Sequence, residues 1–264
     1  MSVAKNLAGR VALVTGGSRG VGRAIALALA EAGADVAINY RRDEASAQAT
    51  LEALRAQGVR ACAVAASVAD ADACDAMVAQ VEAELGPVSI LINNAGIASR
   101  GLAVADTTAE EVLRVMSTHA FAAHALSKRV LPGMRVQDRG DIIMISSVAT
   151  RGLGANGAPY NMAKAALEAL AMTLAKEERA HGIRVNVVAP GLVDTDMGRR
   201  LVAATQGVED VRTLDATMPF GRVCQPEDVA HVVRYFVSPE NSYLTGERVY
   251  CDGGGPLAGR RVAE

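Results

Sequence analysis

The stretch Val11-Ala12-Leu13-Val14-Thr15-Gly16-Gly17-Ser18-Arg19-Gly20-Val21-Gly22 runs from four apolar residues, through a glycine-rich turn, into an Ala/Leu-rich segment of helical period, Gly22–Ala32. A short apolar run of this kind reads as a buried strand. A glycine turn placed between strand and helix lets a pyrophosphate approach backbone N–H groups at the positive helix end. The spacing differs from the usual GxGxxG, but the strand–turn–helix context is the one required. The turn is therefore read as a dinucleotide site.

The same alternation continues along the chain. Strand candidates are Val11–Val14, Asp35–Asn39, Ala61–Ala65, Ile90–Ile92, Asp141–Ile145, Arg184–Val188 and Glu247–Tyr250. Between them lie helical stretches such as Glu44–Gln57, Ala71–Leu85, Ala109–Leu131, Ala158–Ala180 and Pro226–Val237. Nearly all-apolar strands separated by helices predict a parallel sheet covered on both faces. Right-handed crossovers then make it doubly wound. No repeat, low-complexity tract or linker divides the chain, so residues 1–264 are expected to form a single domain. Only the segment 192–223 loses clear periodicity. It follows a strand's carboxyl end, where open α/β sheets bind ligands, and reads as a substrate lid or a partly disordered stretch.

Composition narrows the function classes. A chain of 264 residues with 50% hydrophobic content can bury a core without staples. Cys62, Cys74, Cys224 and Cys251 form no CxxC pair, which excludes a disulfide framework and the usual zinc spacings and leaves buried small hydrophobes. The 27 basic and 29 acidic residues nearly cancel, and without Trp there is no base-stacking surface, so nucleic acid is not an expected partner. No apolar run reaches the roughly 18 residues of a membrane span. Thr15-Gly16-Gly17 interrupts the first apolar run, which excludes a signal peptide. The protein reads as soluble and cytoplasmic. Its histidines, His119, His124, His181 and His231, show no HxxxH pairing, so no metal site and no metal-dependent hydrolase is expected.

The second strand bears on the cofactor. An Asp or Glu at its end normally bonds the ribose 2′-hydroxyl of NAD. Here the strand ends Asn39-Tyr40-Arg41-Arg42; Asp35 comes too early and Asp43 too late. Arg19 and Arg41 are placed to hold a 2′-phosphate by charge-assisted bonds. NADP(H) is the preferred cofactor, with NAD(H) as the other possibility.

Tyr160 and Lys164 share a helix face at i and i+4. A phenol with a pKa of about 10 is a poor acid–base group at neutral pH, and a neighbouring cation lowers that value. Ser146 and Ser147 end the run Asp141–Ile145 on the same sheet edge as the glycine turn. A serine there can hydrogen-bond a substrate carbonyl beside the phenol.

At this point the sequence resembles the short-chain dehydrogenase/reductase family from about Arg10 to Gly255. The matching motifs are Thr15–Gly22, Asn93-Asn94-Ala95-Gly96, Ser147 thirteen residues before Tyr160, Tyr160-xxx-Lys164, Pro190-Gly191 with Thr195, and Asp252-Gly253-Gly254. The resemblance implies a single Rossmann domain with a mostly parallel seven-stranded sheet. It implies Tyr160 as general acid or base, Lys164 on the nicotinamide ribose and lowering the Tyr160 pKa, and Ser147 on the substrate oxygen. It further implies that Gly16, Ser18, Arg19, Gly20 and Gly22 cradle the phosphates. Ser67, Val68, Asn94 and Gly96 would border the rest of the dinucleotide. Pro190, Gly191, Val193 and Thr195 would face the nicotinamide end, Val193 and Thr195 at the carboxamide. Relatives usually form homotetramers, or homodimers, through the long helices and the last strand. The tail Pro256–Glu264 would be disordered or close over a neighbour's pocket.

Two departures from the family pattern stand out. His119 occupies a position where many members carry Asn, whose main-chain carbonyl holds a water. The imidazole would either join the proton relay or simply pack. The closest pattern is that of 3-oxoacyl-[acyl-carrier-protein] reductases, yet Asp138 and His181 stand where those enzymes carry carrier-docking arginines. Asp138, with Asp141 nearby, disfavours an acidic carrier. Free ketones and CoA esters are thus as suitable as a carrier-bound chain. Arg100, Arg151, Arg199 and Arg200 are placed near strand-end loops that an anionic substrate would meet. The leading function is a ketone/secondary-alcohol oxidoreductase acting on a small molecule. The alternative is a catalytically weak or silent NADP(H)-binding sensor.

Overall fold

The computed structural model describes residues 5–255. The tail Pro256–Glu264, expected either to be disordered or to close over a neighbour's pocket, lies outside them. Seven strands, β1 (Val11–Val14), β2 (Asp35–Tyr40), β3 (Ala61–Ala65), β4 (Ile90–Asn93), β5 (Gly140–Ile145), β6 (Ile183–Pro190) and β7 (Arg248–Cys251), form one sheet in the order β3-β2-β1-β4-β5-β6-β7. Every pairing is parallel, with Leu13 opposite Leu91, Ile92 opposite Ile143 and Val188 opposite Val249. From β1 the chain steps outward to β2 and β3, then returns to β4 on the other side. This reversal opens a crevice at the carboxyl ends of β1 and β4, where such sheets bind ligands.

Successive residues of a strand point to opposite faces, and the cores follow that rule. Leu13, Leu91, Ile142, Met144 and Val185 pack against α3 (Ala71–Leu85), α5 (Ala122–Met134) and α7 (Ala158–Glu178). Val14, Ile90, Ile92, Ile143 and Val188 pack against α1 (Gly20–Glu31), α2 (Glu44–Arg55) and α9 (Pro226–Val237). Capping fixes the helix starts: Asp43 accepts from Ser46 N, Asp70 from Ala73 N and Thr108 from Glu111 N. None of the described helices is long and apolar enough to cross a membrane.

Four expectations need correction. The predicted helix Ala109–Leu131 is α4 (Ala109–Met116), a π turn at Ser117–Phe121, then α5. The wide turn carries His119, as π turns often carry functional groups. Segment 192–223 is not without structure. It holds α8 (Asp196–Gln206), capped by Thr195 Oγ1 accepting from Gly198 N at 3.1 Å, and 3₁₀ turns at Val211–Thr217 and Pro219–Gly221. Val202, Val211 and Val223 form a small core of its own. Asp141 is not a surface charge: it is fully buried between Arg10 (2.7 Å) and Arg139 (2.8 Å). Its charge is matched by those two arginines, so it presents no free negative charge to a carrier. Finally, Cys62 and Cys74 are buried, which pushes their thiols up to about 12 and about 11. Cys224 and Cys251 are only half-buried, and the fold brings their thiols together.

Candidate active site

Three segments meet in the crevice. Thr15, at the end of β1, accepts from Asn94 N (2.9 Å) and Ala95 N (3.0 Å) through its hydroxyl. Asn94 Nδ2 donates back to the carbonyls of Thr15 (2.8 Å) and Gly16 (3.2 Å). The two loops are thus locked together through side chains that look like ordinary turn residues in sequence. Buried Asn39 adds a brace, its Oδ1 accepting from Gly16 N at 3.4 Å. Gly16 and Gly20 have positive φ, +61° and +53°. A Cβ on Gly22 would collide with the Gly16 carbonyl and the Asn94 amide. These positions tolerate only glycine.

The start of α1 suits an anion. No side chain caps it, and its first turn has no acidic residue. Its leading N–H groups are therefore available to a phosphate. Arg19 projects from the turn with its guanidinium 3.6 Å from Asp43 and 3.8 Å from Asp196. Asp43, although late in sequence, therefore stands beside the cofactor turn. Arg41 is exposed beyond β2, and the structure does not join it to Arg19. Ser18 is buried, with its carbonyl accepting from Thr50. Ser67 and Val68 follow β3, Val68 belonging to the core. At the other end, Pro190 O accepts from Val148 N (3.0 Å) and Gly191 N donates to Cys251 O (3.0 Å). Val193 bridges to Cys224, and a Cβ on Gly20 would lie 3.3 Å from Thr195. The 192–223 segment thus leans on the glycine turn.

Tyr160, Lys164 and Ser147 converge at the end of β5. Lys164 is 4% exposed and its Nζ donates to Ile145 O at 2.7 Å, two residues before Ser147. The ammonium lies 5.6 Å from the Tyr160 ring centroid. Burial pushes Tyr160 above the usual phenol range, and a hydrogen bond with the Ser147 hydroxyl opposes the rise. Burial also pushes Lys164 down to about 7, with Glu168 acting against it.

His119 is 3% exposed and sets its ring edge-on to Tyr160, with centroids 5.5 Å apart. Its Nε2 lies 3.1 Å from Ile97 N and 2.9 Å from Ile97 O, while Nδ1 has no partner among the described residues. Burial, reinforced by Lys164, pushes the imidazole down to about 3. No hydrogen bond links it to Tyr160 or Lys164, which departs from the relay expectation. Of the four loop arginines, three are paired: Arg100 with Glu111, Arg151 with Asp252 and Arg199 with Asp194.

Comparison with known proteins agrees with this architecture. A family model described as Enoyl-(Acyl carrier protein) reductase matches residues 16–255. A 3-oxoacyl-[acyl-carrier-protein] reductase of Vibrio cholerae is 39% identical over 249 residues, covering 94% of this chain and 98% of its own. A short-chain dehydrogenase of Burkholderia cenocepacia, solved in complex with NADP, is 36% identical with a TM-score of 0.83, covering 94% of this chain and 98% of its own. A doubly substituted short-chain dehydrogenase/reductase of Serratia marcescens gives 33% and 0.85, with 94% and 98% covered.

The chain belongs to the short-chain dehydrogenase/reductase family.

As a member it is an NAD(P)-dependent oxidoreductase acting on CH–OH groups. The two acyl-carrier names describe different reductions, of a C=C and of a C=O bond, so they do not by themselves choose a substrate. For a short-chain dehydrogenase/reductase, the sequence reading missed Glu168, which lies one turn past Lys164. Its spacing, i+4 from Lys164 and i+8 from Tyr160, was the available signal.

Proposed function

We propose that the protein is an NADP(H)-dependent oxidoreductase interconverting a ketone and a secondary alcohol, with Tyr160 as general acid in reduction and general base in oxidation. The convergence of Tyr160, Lys164 and Ser147 beside the glycine turn carries this reading. When bound, the nicotinamide would supply or accept the hydride. Gly16, Ser18, Arg19, Gly20 and Gly22 would hold its phosphates, and Asn94 and Gly96 would border its ribose. Ser147 would orient the substrate oxygen, and Tyr160 would pass its phenolic proton to that oxygen. Lys164, anchored on Ile145 O, would bond the nicotinamide ribose and steady the phenolate. His119, with Nε2 engaged by Ile97, is read as a packing group rather than a relay.

The NADP complex of the Burkholderia cenocepacia relative and the lack of a carboxylate within β2's last residues favour NADP(H). Relatives named for 3-oxoacyl reduction support a 3-oxoacyl thioester as one suitable ketone. Asp138, exposed before β5, points toward a CoA ester or free ketone rather than a carrier-bound one. Residues 192–223, leaning on the glycine turn, would serve as the substrate lid. Exposed Leu113, Phe121 and Met162, together with Val249 on edge strand β7, suit a homotetramer or homodimer. The silent-sensor alternative gains nothing from a site in which phenol, cation and hydroxyl all converge.

Nicotinamide absorbance tests the reading. Ketones, acetoacetyl-CoA and its carrier-bound form would be screened with each cofactor, alongside Tyr160→Phe. The variant should lose turnover by roughly 10²-fold or more while binding cofactor like the wild type. Full activity in Tyr160→Phe overturns the assignment.

A further inference from the structure

Glu168 is 6% exposed on the face of α7 that carries Tyr160 and Lys164. A buried carboxylate is rare unless paired, and this one has three partners. Its Oε1 accepts from Ser146 Oγ at 2.6 Å and lies 2.8 Å from Thr150 Oγ1. Its Oε2 accepts from Arg248, on the last strand, at 2.6 Å. Ser146 sits between Ile145, whose carbonyl holds Lys164, and Ser147. The Thr150 hydroxyl is also 3.0 Å from Ser147 O. The carboxylate therefore grips both sides of the turn that presents Ser147.

We propose that Glu168 is a positioning residue for this reaction: its carboxylate, held in place by Arg248, fixes the Ser146–Ser147 turn and so aims the Ser147 hydroxyl at the Tyr160 phenol. The inference rests on the function proposed above. Other charged groups around α7 are already matched or far away. Glu111 and Arg114 of α4 pair with each other, and Arg151 of α6 (Ala149–Gly152) pairs with Asp252. His119 in the π turn is neutral by burial, and Arg184 of β6 and His181 lie toward the opposite end of the sheet. Tyr160 is the remaining titratable neighbour. Without Glu168 the turn is released, and the Ser147 hydrogen bond that holds the Tyr160 phenol down is weakened.

The test is the pH dependence of alcohol oxidation in wild type, Glu168→Gln and Glu168→Asp, with cofactor Kd measured alongside. Glu168→Gln should move the rising limb upward by about one pH unit, leave cofactor Kd within about threefold (half a pH unit in the same terms), and be partly rescued by Asp. Should the single variant not fold, Glu168→Gln/Arg248→Gln removes the pair as neutral groups and should show the same upward shift. A folded variant whose profile superimposes on wild type, whatever its kcat, overturns the proposal. Tyr160→Phe run in parallel separates the two failures: an active Tyr160→Phe defeats the site itself, whereas an inactive one beside an unshifted Glu168→Gln defeats only this inference.

Discussion

The His119 imidazole fills the space that any side chain on Gly96 would need: a Cβ on Gly96 would lie 2.5 Å from His119 Cε1. The same ring meets Tyr160 edge-on from the other side. The imidazole is thus wedged between the loop after β4 and the phenol. Gly96 is glycine here because of a contact with a residue 23 positions later, and no turn geometry demands it.

Gly96→Ala should therefore destabilise the fold by about 1–3 kcal/mol, the usual range for overpacking. Gly96→Ala/His119→Ala should recover part of that loss, because the smaller residue vacates the space. Urea unfolding of both singles and the double measures the coupling. Strictly additive losses would mean that the two residues do not touch.

His119 also makes stability depend on pH. Burial holds its folded value at about 3, while the unfolded ring titrates near 6.5. Between those values the unfolded chain binds a proton that the folded chain refuses, so stability falls as pH drops from about 6.5 toward 3. At roughly 1.4 kcal/mol per unit, the loss from pH 7 to pH 5 is about 2 kcal/mol. His119→Asn should lose that much less stability over the same interval, by denaturant melts at each pH. Its kcat/KM profile between about pH 6 and 9 should keep the wild-type shape, because a neutral imidazole does not titrate there. A shifted profile would restore the relay.

The fold was readable because its strands are short apolar runs between helices, and each predicted strand lies within two residues of its observed bounds at both ends. What escaped were partnerships across long sequence separations. Asp141 reads as a surface charge until Arg10, 131 positions earlier, is found beside it. Glu168 looks like any helix-surface glutamate, since Arg248 arrives from the last strand. Helix α8 hides because only Gly198 and Val202 of its eleven residues are buried, too few to mark a face. The π turn has no compositional signature at all. Tyr160, Lys164 and Ser147, by contrast, are recognisable because their spacing is itself the chemistry.

Arg19 offers a test of cofactor choice. If its guanidinium leaves Asp43 and Asp196 for a 2′-phosphate, Arg19→Ala should lose one charge-assisted bond, about 1.5–3 kcal/mol. That corresponds to a roughly 10- to 100-fold drop in kcat/KM for NADPH, with NADH nearly unchanged. Arg41→Ala should act in the same direction. Equal kcat/KM for both cofactors in wild type, unmoved by either change, would remove the preference.

Asp194 organises the segment proposed as the lid. Nearly buried, it accepts from Arg199 of α8 at 2.8 Å and lies 3.7 Å from Arg212 in the following 3₁₀ turn. It thereby ties the two halves of residues 192–223 to the end of β6, where the small valine core alone is thin. Asp194→Asn keeps the shape but removes the charge that both arginines face, and should weaken this local structure by about 1.5–3 kcal/mol. Because Asp194 bonds Arg199 and Arg212 of the proposed lid, substrate KM should rise several-fold while kcat moves less. Hydrogen exchange should quicken across residues 196–217 and leave the sheet unaffected. Exchange that quickens equally in β5 and β6 would show that Asp194 supports the whole domain rather than a lid.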